Sequence, residues 1–290
     1  MKAAAFDYLR PATLSEALAL LVQHGPAAKL LAGGQSLLPA LNLRLSQPAL
    51  LIDISRLDEL RHVSIAPDCL RIGALTRHSD LLASPDIARH APLLRDAIRH
   101  VAHPAIRSRG TIGGSLANAD PAAELPACAL ALQARLMARS LRGTRVIPAA
   151  DFFTGLFETA LAEDEILTEI EIDFPRPDDV HGFQELSRRS GDYAIVGLAA
   201  HGRRSLGVLS ELQLGSFSVG TRATLATRAA EARVGRPIDT DALDLAEAAL
   251  AQDLEPHADL QASADTRLAL ARILLRRVIA QLLPALPIAA

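Results

Sequence analysis

Two glycine pairs constrain this chain more than any other feature of its sequence. Gly33-Gly34-Gln35-Ser36-Leu37 follows a short apolar run, Lys29 to Ala32, and Gly113-Gly114-Ser115-Leu116 follows the β-branched step Thr111-Ile112. Glycine lets consecutive backbone N–H groups converge on one point and lets a ligand approach with no Cβ in the way, so a loop of this kind suits an anion. The serine hydroxyl adds a donor. Either pair alone is better explained as a tight turn. Two pairs of the same form, from separate parts of the chain, point to one shared ligand that needs donors on more than one side, as a pyrophosphate does. The sequence contains no Gly-x-Gly-x-x-Gly after a strand and no Gly-x-x-x-x-Gly-Lys-Ser/Thr. A dinucleotide would therefore be held by something other than a Rossmann fold or a P-loop.

Composition narrows the remaining classes. The 290 residues suggest about two domains, and a chain of this length buries enough surface to need no covalent staples. The formal net charge of −3 excludes a strongly basic nucleic-acid binder. Only two cysteines occur, Cys69 and Cys128, which excludes a disulfide framework and a four-thiolate zinc or iron–sulfur site within this chain. No apolar run approaches the roughly 18–20 residues of a membrane helix, and Met1 to Arg10 lacks the apolar core of a secretory signal. A cytoplasmic protein without a membrane span is expected. All the basic residues except Lys2 and Lys29 are arginine. Their even spread reads as compositional bias rather than as phosphate clamps.

Patterning places these motifs on elements. Thr13 and Glu16 form a capping box ahead of Leu14, Ala17, Leu18 and Leu21, and Gly25 stops that helix. Strands are expected over Lys29–Ala32 and Ala49–Ile54, and a hairpin is expected around Pro67-Asp68. Leu81 to Val101 reads as one or two helices around Pro85 and Pro92, His103 to Asn118 as a loop, and Glu124 to Leu132 as a buried helix. Short strands follow at Ala134–Arg139 and Arg145–Ile147. Thr168 to Phe174 alternates strictly, as a half-buried strand does. Pro175-Arg176-Pro177-Asp178-Asp179 breaks the pattern and is the expected domain boundary. Beyond it, strand-like segments around Phe183–Ser187, Ile195–Ala200 and Glu211–Val219 precede three helices, the second capped at Asp239/Thr240 and the last, near Ala264 to Leu283, stopped by Pro284. Strands followed by helices indicate α+β.

Other constellations carry less. His100 and His103 could share a helix face, but Pro104 ends that helix and no third ligand is near, so a solvated helix end is the reading. Asp178-Asp179 reads as linker and Asp239/Asp241 as a cap. Cys69 and Cys128 read as small buried hydrophobes. No His-Glu-x-x-His and no Gly-x-Ser-x-Gly is present.

The stretch Leu31 to Pro39, together with Thr111-Ile112-Gly113-Gly114-Ser115-Leu116-Ala117-Asn118-Ala119-Asp120-Pro121-Ala122-Ala123-Glu124-Leu125-Pro126, resembles the FAD-binding medium subunit of molybdenum hydroxylases, the xanthine dehydrogenase and carbon monoxide dehydrogenase family. Phe6 to Pro11, Arg188 to Gly197 and Ala262 to Asp265 extend the resemblance over essentially the whole chain. It implies an α+β fold: a vanillyl-alcohol-oxidase-type (PCMH-type) FAD-binding domain over 1–176, with subdomains of about 1–55 and 56–176, and a small α+β domain over 180–284. It also implies a site. Ala32, Gly33, Gly34, Gln35, Ser36 and Leu37, with Thr111, Ile112, Gly113, Gly114 and Ser115, would hold the pyrophosphate and ribityl region. Asn118, Asp120 and Glu124 would bind ribityl, ribose or adenine groups, Leu167 would pack near the adenine, and Gln184 and Tyr193 would approach the isoalloxazine. Many relatives carry Asp where this chain has Glu124.

The resemblance further implies an oxidoreductase subunit that takes electrons from two [2Fe–2S] clusters in a small subunit, downstream of a molybdenum–pterin centre in a large subunit, and passes them to an external acceptor (a quinone, NAD⁺, O₂ or a carrier protein). A dimer of heterotrimers is expected. Relatives acting on CO often carry His where this chain has Gln35, which leans toward an aromatic N-heterocycle as the substrate of the complex. No catalytic residue and no metal ligand is expected on this chain. Two readings compete: a stand-alone flavin-dependent oxidase or reductase with its own substrate pocket, which would require an acid or base beside the flavin, and a non-enzymatic assembly module that has lost flavin, against which the intact glycine loops speak.

Overall fold

The computed structural model describes residues 2–237 and 240–283; the expected cap at Asp239 and the stop at Pro284 lie outside them. The chain begins with a parallel three-stranded sheet. Strands β1 (Asp7–Leu9), β2 (Ala28–Leu31) and β3 (Leu50–Asp53) lie in the order β1-β3-β2. Helix α1 (Leu14–His24) crosses between the first two strands. The Thr13 hydroxyl accepts the Glu16 N–H at 3.2 Å, and the Glu16 carboxylate accepts the Ala12 N–H at 2.7 Å. Leu14, Ala17, Leu18 and Leu21 are buried with Ile52, Ile54 and Leu57 in one core. After β2 the chain turns through Gly33-Gly34 into the short helix α2 (Leu37–Asn42).

The middle of the chain forms an antiparallel sheet with a helical cover. The segments are β4 (Val63–Ile65), β5 (Cys69–Gly73), α3 (His78–Ala83), α4 (Pro85–His90), α5 (Pro92–Ile98), α6 (Pro104–Arg107), α7 (Ile112–Asn118), α8 (Glu124–Ala131), β6 (Arg135–Ser140), β7 (Gly143–Pro148), α9 (Ala149–Phe152), the hairpin β8 (Phe153–Gly155) and β9 (Glu158–Thr159), and β10 (Ile166–Asp173). The five-stranded order is β4-β5-β10-β6-β7, so the strictly alternating strand lies at the centre. Leu81 to Val101 resolves into three helices rather than one or two. Pro85 and Pro92 each stand at a helix start, where a missing N–H costs nothing.

The segment His103 to Asn118 is not a loop. It contains α6 and α7, and the second glycine pair lies in the first turn of α7. Two adjacent glycines hide a helix from propensity, since each costs about 1 kcal/mol there relative to Ala. What starts the helix is the Thr111 hydroxyl, which accepts the Gly114 N–H at 3.1 Å.

The C-terminal part is an antiparallel sheet, β11 (Asp179–Leu186), β12 (Val196–Ser205), β13 (Val208–Phe217) and β14 (Thr224–Leu225) in sequential order, followed by α10 (Thr227–Arg233), α11 (Thr240–Asp253) and α12 (Ala264–Leu282). One face of this sheet packs Val196, Leu198 and Leu214 against Ala271, Leu275 and Val278 of α12. The other face sends Phe183, Ala199 and Phe217 into the core formed by α5, α7, α8 and the five-stranded sheet. Phe183 and Phe217 stack with centroids 5.8 Å apart. The Ser218 N–H donates to the Pro121 carbonyl at 2.7 Å, and Arg222 donates to the Phe153 carbonyl at 2.6 Å. Among the described residues no helix is long and apolar enough to cross a membrane.

Candidate cofactor site

The fold brings the two glycine segments into contact. A Cβ on Gly33 would run into the Arg109 carbonyl and stand 2.9 Å from Gly110 Cα. A Cβ on Gly114 would stand 2.7 Å from Thr111 Oγ1 and 3.8 Å from Ala32 Cβ. Gly33 is thus required by the approach of the preceding turn of the other segment, and Gly114 by the Thr111 hydroxyl that caps its helix, while Ala32 of the first segment stands opposite it. Three backbone bonds pin the second segment: Ile112 N–H to Thr76 O (3.1 Å), Gly113 N–H to Ala74 O (2.8 Å) and His78 N–H to Gly110 O (2.9 Å).

The first segment is left with donors to spare. The Gln35 side-chain amide donates to Gly33 O at 2.9 Å, and the Leu38 N–H to Gly34 O at 3.1 Å. The N–H groups of Gly33, Gly34, Gln35, Ser36 and Leu37 have no acceptor in the chain among the described residues. Gly34 has a φ of 72°, which turns the segment back on itself. A row of unpartnered N–H groups beside a backbone gap that a Cβ would fill is what a pyrophosphate requires. These residues fit FAD as a ligand.

Beyond α7 the site becomes acidic. Ala119 takes a left-handed conformation (φ 47°), and Asp120 accepts the Ala122 N–H at 2.9 Å. Burial pushes the Asp120 carboxyl up. Glu124, at the start of α8, is buried, and burial followed by the neighbouring Asp120 charge pushes it up to about 7. Leu167 is buried in β10 within the core that holds Ile112 and Leu116. Tyr193, on the loop between β11 and β12, is 61 % exposed and lines a cleft of about 370 Å³ with Asp120, Ser218, Asp259 and Arg267. That loop is pressed against the turn before α6 at Gly191 (φ 85°), where a Cβ would lie 2.9 Å from the Ala102 carbonyl.

Not every expected residue joins this set. In β11 the side chains alternate: Val180 and Leu186 pack toward α12, while His181 and Phe183 face α5 and α8. Gln184 shares the parity of the first pair and Glu185 that of the second, so Glu185, not Gln184, lies on the face of the strand that carries His181 and Phe183. Three residues were missed in the sequence. Glu185 was legible only from the register of β11. Arg267 is buried in α12 and donates to Ser218 O (2.8 Å), Ile195 O (2.5 Å) and Asp259 (2.6 Å). Burial opposes ionisation of Asp259, but the Arg267 bond and the N–H groups of Gln261 and Ala262 outweigh it and hold the carboxyl at about 2. His78 is buried beneath Gly110, with neither ring nitrogen hydrogen-bonded. His100 is not simply a solvated helix end, since its ring packs on Phe183 at 5.1 Å. Cys69 and Cys128 are buried free thiols, and no group of His, Cys, Asp or Glu among the described residues could hold a metal.

Residues 4–176 match the family described as the FAD binding domain in molybdopterin dehydrogenase, and residues 181–282 the CO dehydrogenase flavoprotein C-terminal domain. The chain belongs to the flavoprotein subunits of the molybdenum hydroxylases. Over 288 residues it is 38% identical to the 6-hydroxypseudooxynicotine dehydrogenase complex subunit alpha of Paenarthrobacter nicotinovorans, covering 98% of this chain and 96% of that protein. Its fold matches a chain of carbon monoxide dehydrogenase from Hydrogenophaga pseudoflava, with a TM-score of 0.95, 37% identity, and coverage of 97% of this chain and 98% of that one. It also matches a chain of quinoline 2-oxidoreductase from Pseudomonas putida 86, with a TM-score of 0.90, 39% identity, and coverage of 96% and 97%. This flavoprotein subunit therefore has the α+β architecture of an FAD-binding domain followed by the family's C-terminal domain, and it is an oxidoreductase subunit.

Proposed function

We propose that this subunit carries one FAD and relays electrons from a [2Fe–2S] small subunit to an external acceptor, in a complex whose large subunit holds the molybdenum–pterin centre. The contact between the two glycine segments, with five unpartnered N–H groups on one of them, is the observation that carries this reading. FAD supplies the redox chemistry when bound. The chain binds and orients it: Ala32 to Leu37 and Thr111 to Ser115 hold the pyrophosphate and ribityl region, while Asn118, Asp120 and Glu124 accept from its hydroxyl and N–H donors. Leu167 gives an apolar wall near the adenine. Tyr193 lays an exposed ring over the cleft, where stacking contributes about 0.5–1.5 kcal/mol beyond area burial. Gln184 is assigned no direct contact, given its register. The units are 1–176, divided near residue 55, and 180–284, with the complex a dimer of heterotrimers.

The substrate of the complex is an aromatic N-heterocycle or a close relative of one. Gln35 supports this, as do the names of two of the proteins that this chain resembles at 38% and 39% identity, a 6-hydroxypseudooxynicotine dehydrogenase and a quinoline oxidoreductase. The test is anaerobic mixing of the purified complex with quinoline, nicotine, a purine or CO while flavin absorbance is followed. A heterocycle should bleach the flavin and CO should not. Bleaching by CO alone would overturn the substrate assignment.

A further inference from the structure

The two glycine segments meet through Gly110. A Cβ on Gly33 would lie 2.9 Å from Gly110 Cα, and the Arg109 carbonyl leaves that Cβ no room at all. On the side where its own Cβ would stand, Gly110 meets the His78 imidazole, whose Cε1 and Nδ1 both lie 3.1 Å from that position. His78 is the first residue of α3 and is 5% exposed. Its backbone N–H donates to Gly110 O at 2.9 Å, and neither ring nitrogen has a hydrogen-bond partner. Burial keeps the ring neutral. The Thr111 backbone opposes that effect from outside hydrogen-bond geometry, and Arg107 adds to it.

We propose that His78 is a positioning residue of the cofactor site: its ring, packed on Gly110, sets how closely the second glycine segment approaches the first. Hydrogen bonds do part of this work. The bonds from His78 N–H to Gly110 O, Ile112 N–H to Thr76 O and Gly113 N–H to Ala74 O pair residues 110–113 with 74–78 as a short antiparallel ladder, with a bridge between Arg77 and Thr111. A ladder fixes register and in-plane spacing, but two paired strands still twist and bend out of their plane. Side chains packed across the pair resist that bending. Gly110 has none, so the contact falls to the ring of its neighbour across the ladder.

Two buried ring nitrogens without partners have lost their water and gained no bond in return. What the ring supplies is a rigid body against the backbone. Truncating it would open a space beside Gly110, into which the Arg109–Gly110 peptide can withdraw from Gly33. Thr111 follows Gly110 directly, and its hydroxyl holds the Gly114 N–H at 3.1 Å, opposite Ala32. A shift at Gly110 is therefore passed on to the gap between Ala32 and Gly114. The consequence for FAD rests on the reading above, in which that gap holds the pyrophosphate.

The test compares wild type with His78→Ala and with Ile87→Ala, a truncation of a fully buried core residue in α4. Titration of FAD into the FAD-free chain gives the dissociation constant, and denaturant unfolding without FAD gives the stability. Both variants should lose stability, but only His78→Ala should bind FAD more weakly, by about tenfold or more. An unchanged FAD constant in His78→Ala, or an equal weakening in both variants, overturns the proposal. Gly33→Ala adds a readout that a general loss of stability would not move. Its Cβ needs Gly110 to withdraw, so Gly33→Ala should weaken FAD binding by a smaller factor in the His78→Ala background than in wild type. An equal or larger factor overturns the proposal. Should His78→Ala fail to fold, His78→Val takes its place in both comparisons. If wild type binds no FAD, the functional reading fails, and amide exchange in the FAD-free chain still decides the positioning. His78→Ala should then speed exchange at residues 110–113 and leave α1 unchanged; unchanged exchange at 110–113 overturns it.

Discussion

Charging His78 is expensive, and the cost has a direction in pH. Burial lowers its pKa from the usual value near 6.5 to about 4, so the folded chain keeps the ring neutral where the unfolded chain would protonate it. The unfolded state then binds more protons between those values, and stability falls as the pH drops through that window, by up to roughly 3 kcal/mol at the acid end. The raised carboxyls act in the opposite sense. Glu124 and Glu185 stay protonated in the folded chain up to about 7 and about 8, so their contribution is lost as the pH rises from the ordinary carboxylate range toward those values. Between about 4.5 and 6.5 the two effects overlap and oppose each other. In thermal melts His78→Gln should therefore lose stability more steeply than wild type as the pH rises through that window, and match its slope above pH 7. An unchanged slope between 4.5 and 6.5 would show that His78 is not the group that titrates there.

At the scale of elements, α7 decides how well the second glycine pair is held. Its cap is the Thr111 hydroxyl on the Gly114 N–H, and the Ile112 and Gly113 N–H groups are spent on Thr76 and Ala74. Thr111→Ala should cost about 0.5–2 kcal/mol of stability in denaturant unfolding. It should also weaken FAD retention, because the turn that carries Gly114 loses its anchor. Loss of stability with unchanged FAD affinity would show that the cap serves the fold alone. Elements of this kind mark where legibility ended. α1 was readable because its capping box, apolar stripe and stop glycine agree, and β10 because its alternation is strict over its inner half. α7 was not, because two glycines and a serine carry no helical signature and its start depends on long-range bonds to residues 74–78. The three helices of 78–98 were blurred for a simpler reason: prolines mark starts as well as stops, and a sequence alone does not say which.

At the scale of the molecule, the site is made by packing that no local pattern records. Gly33 and Arg109 lie far apart in the chain, yet the glycine is required by that residue's carbonyl. The likeness in form of the two glycine segments was visible in the sequence, and so was the expectation that they share a ligand; their contact was not. The same holds for Glu185, whose inward direction follows from the pairing of β11 with β12, and for Arg267, whose acceptors come from three separate loops. One apolar core runs from the five-stranded sheet through α8 into the C-terminal sheet and includes Ala194, so the loop that carries Tyr193 is held in place by more than its own turn.

The central claim is that the gap between Ala32 and Gly114 holds the FAD pyrophosphate. The measurement that tests it most directly is the FAD content per chain of wild type and Gly114→Val, purified identically, with circular dichroism as the check on folding. A valine side chain would begin 2.7 Å from Thr111 Oγ1 and extend into the space facing Ala32. Wild type should carry about one FAD per chain, and the variant should fold and carry essentially none. A folded Gly114→Val chain with as much FAD as wild type would contradict the account.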